Sequence, residues 1–155
     1  MNREEAPDDG YGLVLACRRL HSVIDDIDAQ IADAVGLTRN ELRCLNMLEA
    51  EPKLARDIAE KTGLTTGSVT AMLDRLEQRS FIKRKPHPED RRAMLVEITP
   101  QVFKRLGQMY RLMGDAVVNL SLNYGPRKTR SAAANVKDLS VALEEVLDTL
   151  RENEA

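Results

Sequence analysis

The sequence predicts a mainly α-helical chain with a small β wing: a winged helix-turn-helix set between long N- and C-terminal helices that form a dimerisation domain. Three observations predict it. Apolar residues recur at three- and four-residue spacings at both ends of the chain, the signature of helices with one greasy face. Between them lies a short helical pair that turns at Gly63. Directly after that pair comes a basic hairpin pattern with Pro86 and Pro88 at its tip. With 155 residues and 43% apolar content the chain can bury one core. Aromatics are 3% and Trp is absent, so that core is aliphatic, as packed helices favour. The expected organisation is one compact chain, with residues 38–98 as the winged helix-turn-helix and residues 1–37 and 99–155 as the helical dimerisation region.

The elements follow in order. Tyr11 to Ala34 is a long helix whose stripe runs through Leu13, Cys17, Leu20, Ile24, Ile27 and Ile31, closed by Gly36. Thr38-Arg39-Asn40-Glu41 is a capping box that opens a helix through Leu42, Leu45, Met47, Leu48 and Ala50, stopped near Pro52. The next helix spans Leu54 to Thr62, without a good side-chain cap at its start, and Gly63 ends it where a tight turn needs positive φ. A second helix starts near Thr65 or Thr66 and turns Val69, Met72, Leu73 and Leu76 inward. Two short strands follow. Pro86 and Pro88 sit between them, where proline disrupts no ladder. Thr99-Pro100 starts a helix with the stripe Val102, Leu106, Met109, Met113 and Val117. Gly125-Pro126 breaks it. A last helix is expected from about Thr129 to Arg151, with Val136, Leu139, Leu143, Val146 and Leu150 as its stripe.

The bulk numbers exclude several classes. No apolar run approaches the roughly 20 residues that span a bilayer, and Met1 to Gly10 is acidic without a signal-peptide centre, so a cytoplasmic protein with no membrane association is expected. Cys17 and Cys44 are isolated, neither a disulfide framework nor a metal motif. His21 and Asp25 have i,i+4 spacing, but two ligands do not make a metal site, and no cofactor is expected. Two histidines, no nucleophile–base motif and no phosphate-binding glycine loop argue against an enzyme. The net charge of −2 is unevenly spread. Arg79 to Arg92 holds six basic residues against two acidic ones, a local +4, which leaves −6 elsewhere. Such a distribution presents one face to a polyanion and repels it with the other.

A helix-turn-helix demands a small residue where its helices touch, a glycine four positions later and a branched apolar residue six further on. Ala59, Gly63 and Val69 meet those demands. Any short helical hairpin can mimic the pattern, and a charge run is commonly just a solvated face. A basic hairpin directly behind the second helix, however, has the position a wing needs to flank double-stranded DNA.

At this point the chain resembles the MarR family of transcriptional regulators. The carrying residues are Leu42 to Leu48, the helix-turn-helix, Val69 to Glu77, and Asp90-Arg91-Arg92 followed by Leu95, Val96, Ile98 and Thr99. The resemblance implies a homodimer on a pseudo-palindromic operator, and repression relieved by a small aromatic or other organic effector or by oxidation. Its half-sites would lie about one helical turn, roughly 34 Å, apart. It implies DNA contacts from Thr65, Thr66, Ser68, Thr70 and Arg75 on the recognition helix. Arg91 or Arg92 would enter the minor groove, with Asp90 orienting Arg92, and Lys83, Arg84 and Lys85 would meet phosphates. Asp74 is expected to buttress Arg75 or a wing arginine. Two departures stand out. Thr65 to Met72 contains no Arg, Lys, Asn or Gln, so readout leans on hydroxyls, thymine methyls and DNA shape, with Arg75 the guanine-reading candidate. Ser80 replaces a common glycine, so the recognition helix is expected to end by another route.

The two terminal stripes exceed what a small winged helix covers, which predicts intertwining with a second subunit over a monomeric bundle. An effector cleft between the dimer helices and the winged helix would draw on Arg18, His21, Cys44, Met109 and Tyr110. His21 has an ordinary surface reading and Met109 an ordinary core reading. Two other readings stay open: a thiol sensor using Cys17, with Arg18 and Arg19 lowering its pKa, and a winged helix that binds a protein instead of DNA.

Overall fold

The computed structural model describes residues 8–90 and 92–153. The chain divides into two compact units, 1–109 and 110–155. The first contains α1 (Asp8–Val35), α2 (Arg39–Leu48), β1 (Lys53–Leu54), α3 (Ala55–Thr62), α4 (Thr66–Gln78), β2 (Ile82–Pro86), β3 (Met94–Ile98) and the start of α5 (Pro100–Glu152). The second consists of the rest of α5.

α1 ends where Gly36 turns left-handed at φ 65°. The Leu37 amide donates to the Ala32 carbonyl at 2.8 Å and the Gly36 amide to Asp33 at 3.1 Å, a Schellman closure. The capping box then forms as the sequence predicts: the Glu41 amide donates to Thr38 Oγ1 at 3.3 Å, and the Thr38 amide to Glu41 Oε2 at 2.9 Å. Pro52 does more than stop α2. It leads into β1, which antiparallel pairing joins to β3, so the hairpin is really a three-stranded sheet in the order β1-β3-β2. Two residues between helices carry no strand periodicity, so this edge was not legible beforehand. α3 starts at Ala55, and with no acceptor on Leu54, the Asp57 carboxylate reaches back to the Leu54 amide at 3.3 Å.

The core of the first unit gathers Leu42, Leu45, Leu48, Ile58, Val69, Met72, Leu73, Leu76, Ile82 and Val96, all at or below 2% exposure. It also takes Ile31, Ala32 and Val35 from the end of α1 and Val102 and Leu106 from the start of α5. The end of one long helix and the start of the other therefore seal the winged helix. Truncating a fully buried Leu76 to Ala would cost about 2–5 kcal/mol.

α4 ends by the left-handed route after all. Ser80 has φ 59°, the Ser80 amide donates to Glu77 at 2.8 Å, and the Phe81 amide donates to Leu76 at 2.8 Å. This is the same Schellman closure as at Gly36, made with a Cβ in place. The expectation of another ending is corrected: the hydrogen bonds recovered by the turn outweigh the left-handed cost of serine.

In the second unit Gly125 takes φ 71° and ψ 164° and divides α5 into two helical stretches. Thr129 Oγ1 donates to Ser121 at 3.1 Å and to Gly125 at 3.0 Å, which ties the two sides of the break. The later helix runs from Pro126, three residues earlier than expected, because proline at a first helical position lacks only a hydrogen that has no partner there.

Candidate nucleic-acid interface

Gly63, at φ 69°, turns the chain from α3 into α4, and its amide donates to Ala59 at 3.0 Å. Thr65 is the α4 N-cap. Its Oγ1 accepts the Ser68 amide at 3.2 Å and lies 2.9 Å from Ser68 Oγ. Thr70 Oγ1 donates to the Thr66 carbonyl at 2.9 Å. With Val69, Met72, Leu73 and Leu76 packed inward, Thr65, Thr66, Ser68 and Thr70 stand together on the exposed side. Thr65, Ser68 and Thr70 already spend hydroxyl capacity on their own helix. That leaves methyl groups and spare lone pairs for a ligand. Gly67 lies among them, exposed, with nothing within 4 Å of where a Cβ would stand.

Arg75 is exposed along its stem, but its Nε donates to Glu41 Oε1 at 3.2 Å, across to α2. Glu41 is 4% exposed. Burial pushes its carboxyl up, yet the Thr38 amide, the Thr38 hydroxyl and the Arg75 guanidinium together hold it below the ordinary carboxylate value. One turn further along α4, Arg79 donates to Gly36 at 2.8 Å and to Val35 at 3.0 Å, capping the open carbonyls at the end of α1. Its guanidinium also sits 4.4 Å from the centroid of the Phe81 ring. The C-terminal half of α4 is thus strapped twice, once to α2 and once to α1. Neither strap was foreseen. Their sequence separations of 34 and 43–44 residues leave no local signal.

The wing splits its cations by face. The register pairs Lys83 with Glu97, Arg84 with Val96, and Lys85 with Leu95. Opposite residues share a face, so Arg84 lies on the side of buried Ile82 and Val96, and Lys83 and Lys85 lie on the other. Arg84 reaches α4, where Asp74 accepts from it at 2.7 Å and Glu77 accepts from it as well. The structure therefore does not place Arg84 with Lys83 and Lys85 as an outer cation; period-two alternation forbids that. Asp74 buttresses a wing arginine, Arg84. Glu97 holds Lys83 Nζ at 2.7 Å and also pairs with Lys85.

At the tip the His87 amide donates to Ala93 and the Ala93 amide to Asp90, both at 3.0 Å. His87 Nδ1 accepts the Glu89 and Asp90 amides, each at 3.2 Å. Asp90 Oδ1 accepts the Arg92 backbone amide at 2.9 Å. Asp90 thus positions the backbone of Arg92. The tip bond of His87 also went unforeseen; an acceptor side chain two residues before an exposed turn is the signal that could have revealed it. Arg92 is exposed, and Arg91 lies outside the described residues.

The expected effector residues lie on three helices, α1, α2 and α5. Cys44 is fully buried, and desolvation with the Glu41 charge pushes its thiol from 9.0 to about 12. It is a core residue, because α2 turns that side inward with Leu45 and Leu48. Arg18 and His21 are exposed on α1, and Met109 is half-buried. Tyr110, also half-buried, belongs to the second unit. A cleft of about 390 Å³ does lie between α1 and α2, lined by Asp25, Asp28, Arg39, Asn40, Leu42, Arg43 and Asn46, so that charged and amide groups share its walls with apolar surface. Arg39 pairs with Asp25 there at 2.5 Å. Among the described residues no helix is long and apolar enough to cross a membrane, and no cluster of side chains could hold a metal ion.

A strapped recognition helix beside a three-stranded wing defines a winged helix-turn-helix regulator. A family model described as the MarR family matches residues 35–93. The HTH-type transcriptional regulator YcgE of Bacillus subtilis is 31% identical over 122 residues, 78% of this chain and 79% of its own. Among solved structures, a point mutant of MepR from a multidrug resistant S. aureus clinical isolate superposes with a TM-score of 0.70 at 18% identity, over 86% of this chain and 96% of that one. Another S. aureus MepR mutant, bound to an oligodeoxyribonucleotide, reaches 0.56 at 19% identity, over 86% and 97%. The chain belongs to the MarR family, whose members are transcriptional regulators and not enzymes.

Proposed function

We propose that this protein is a homodimeric repressor that binds a pseudo-palindromic operator in double-stranded DNA and is released by a small organic effector. The observation that carries the reading is the joint exposure of two kinds of surface. One is the α4 face with Thr65, Thr66, Ser68 and Thr70, next to a wing that displays Arg92. The other is a set of apolar side chains too large to leave in water. On α1, Leu13 is 50% exposed and Leu20 54%; on α5, Leu112 is 77%, Leu122 74% and Leu143 62%. A soluble monomer seldom leaves so many large aliphatic residues uncovered, and a second copy of the same helices is the occupant that matches them. The relative solved with an oligodeoxyribonucleotide supports DNA as the ligand of the other surface.

The α1–α2 cleft is where an effector would act with least difficulty. It borders Arg39, within the first turn of α2, whose Glu41 holds Arg75 of the recognition helix. A molecule that prefers one opening of that cleft shifts α4, and a molecule indifferent to it shifts nothing. Light scattering coupled to gel filtration tests the dimer, with twice the 17.4 kDa chain mass expected. Footprinting on genomic fragments tests the operator, with two protected half-sites about 34 Å apart expected. A monomer, or a winged helix that protects no fragment at any salt concentration, overturns the reading. The second outcome favours a protein-binding module. Loss of protection on adding peroxide, abolished by Cys17→Ser, would point to thiol sensing instead.

A further inference from the structure

The outer face of the wing carries its own anion. Lys83 and Lys85 stand two residues apart on β2, and Glu97 stands on β3 directly across from Lys83. One carboxylate serves both ammonium groups. The lysine side chains stay 57% and 45% exposed, whereas the Glu97 side chain is 19% exposed. The carboxylate therefore sits beneath two cations that still reach solvent. Both lysines hold its carboxyl below the ordinary value, so it is charged at neutral pH. On the inner face Arg84 is matched by Asp74 and Glu77. Counted together, the three strand cations face three carboxylates. Among the described residues, the tip guanidinium of Arg92 is a wing cation with no carboxylate salt bridge.

A phosphodiester approaching Lys83 and Lys85 must compete with Glu97 for them. We propose that Glu97 is a selectivity residue: it occupies the two lysines so that the strands give generic duplex DNA little, and binding depends on the tip and on α4. Non-specific affinity is set chiefly by the number of phosphates a protein neutralises, so an internal anion lowers it without touching base contacts. This inference rests on the proposed DNA-binding reading.

The test measures binding of a random-sequence duplex, and of a duplex selected by the wild-type protein from a random pool, by fluorescence anisotropy across a salt series. Glu97→Gln keeps the shape and removes the charge. It is expected to tighten random-duplex binding about 3–10-fold at low salt, since two exposed ion pairs are released. The slope of log K against log salt should steepen by about 1–2, at roughly 0.9 per phosphate gained. The ratio of selected to random affinity should fall. Lys83→Met with Lys85→Met is expected to change random-duplex binding less than about 2-fold in the wild-type background, and to abolish the whole gain in the Glu97→Gln background. Glu97→Gln binding that is unchanged or weaker with the same slope overturns the inference, as does a gain that persists without the lysines. If Glu97→Gln fails to fold, the double lysine variant decides alone, and a loss well above 2-fold overturns it. A wild-type protein that binds neither duplex defeats the DNA-binding reading itself, and with it this inference.

Discussion

Replacing Arg75 with Gln removes the guanidinium that the sequence marks as a guanine reader and the structure ties to Glu41. The two roles differ in what the substitution costs. A base-reading arginine hangs in solvent without DNA, so its loss leaves the free protein as stable as before. In the structure Arg75 Nε lies 3.2 Å from the carboxylate of a residue that is 4% exposed. A hydrogen bond to a charged group contributes about 1.5–3 kcal/mol. The Arg75 side chain is 56% exposed, and solvent screening trims the figure to about 1–2 kcal/mol. For a chain of this length that corresponds to a fall in Tm of about 2–8 °C, read by differential scanning calorimetry without DNA. The acid limb gives a second signature. The folded Glu41 carboxyl is held below its unfolded value, so its contribution is present above pH 4.5 and is lost as pH falls through that value toward the folded one. Without Arg75 a pull that lowers the carboxyl is gone, the folded value moves up toward the unfolded one, and the acid-side loss should be smaller and complete at higher pH. An unchanged Tm for Arg75→Gln, with affinity lost at a single guanine position of the operator, would refute the strap and restore the base-reading role.

Ser80→Gly should raise stability by about 0.5–1 kcal/mol: a left-handed residue with a Cβ costs about 1–2 kcal/mol, and the added freedom of glycine in the unfolded chain returns part of it. A calorimetric Tm no higher than wild type would contradict that. Gly67→Ala should stabilise α4 by up to about 1 kcal/mol, because nothing meets the new methyl, yet weaken DNA binding where the backbone at the start of α4 approaches the duplex; equal or tighter binding would place that surface elsewhere. Arg92→Ala should lower the salt slope of binding by about 1, and an unaltered slope would remove the tip from the phosphate or groove contacts. The Cys44 thiol should resist alkylation in the folded protein at pH 8, far below its value of about 12, and react on unfolding; rapid native labelling at Cys44 would contradict its burial.

Much of the fold was legible because it rests on local physics. The capping box of Thr38 and Glu41, the turns at Gly36 and Gly63 and the Thr99-Pro100 start each need only neighbouring residues, and all are where the sequence places them. The inward set on α4 follows from helical period alone. Even the separation of Arg84 from Lys83 and Lys85 was available from strand alternation, though the charge run invites a single reading of all three. Long-range pairing was not available. Nothing near Arg75 or Arg79 announces Glu41, Val35 or Gly36, and nothing near Lys83 announces Glu97. Each partner is chosen by how helices and strands pack once the aliphatic core has closed. The amino-acid pattern therefore settled which helices form and, for α2 and α4, which faces they bury, since periodicity and caps act within a few residues. Tertiary packing alone decided which charges remain free to meet a ligand, since an ion pair depends on distances that only the folded chain sets.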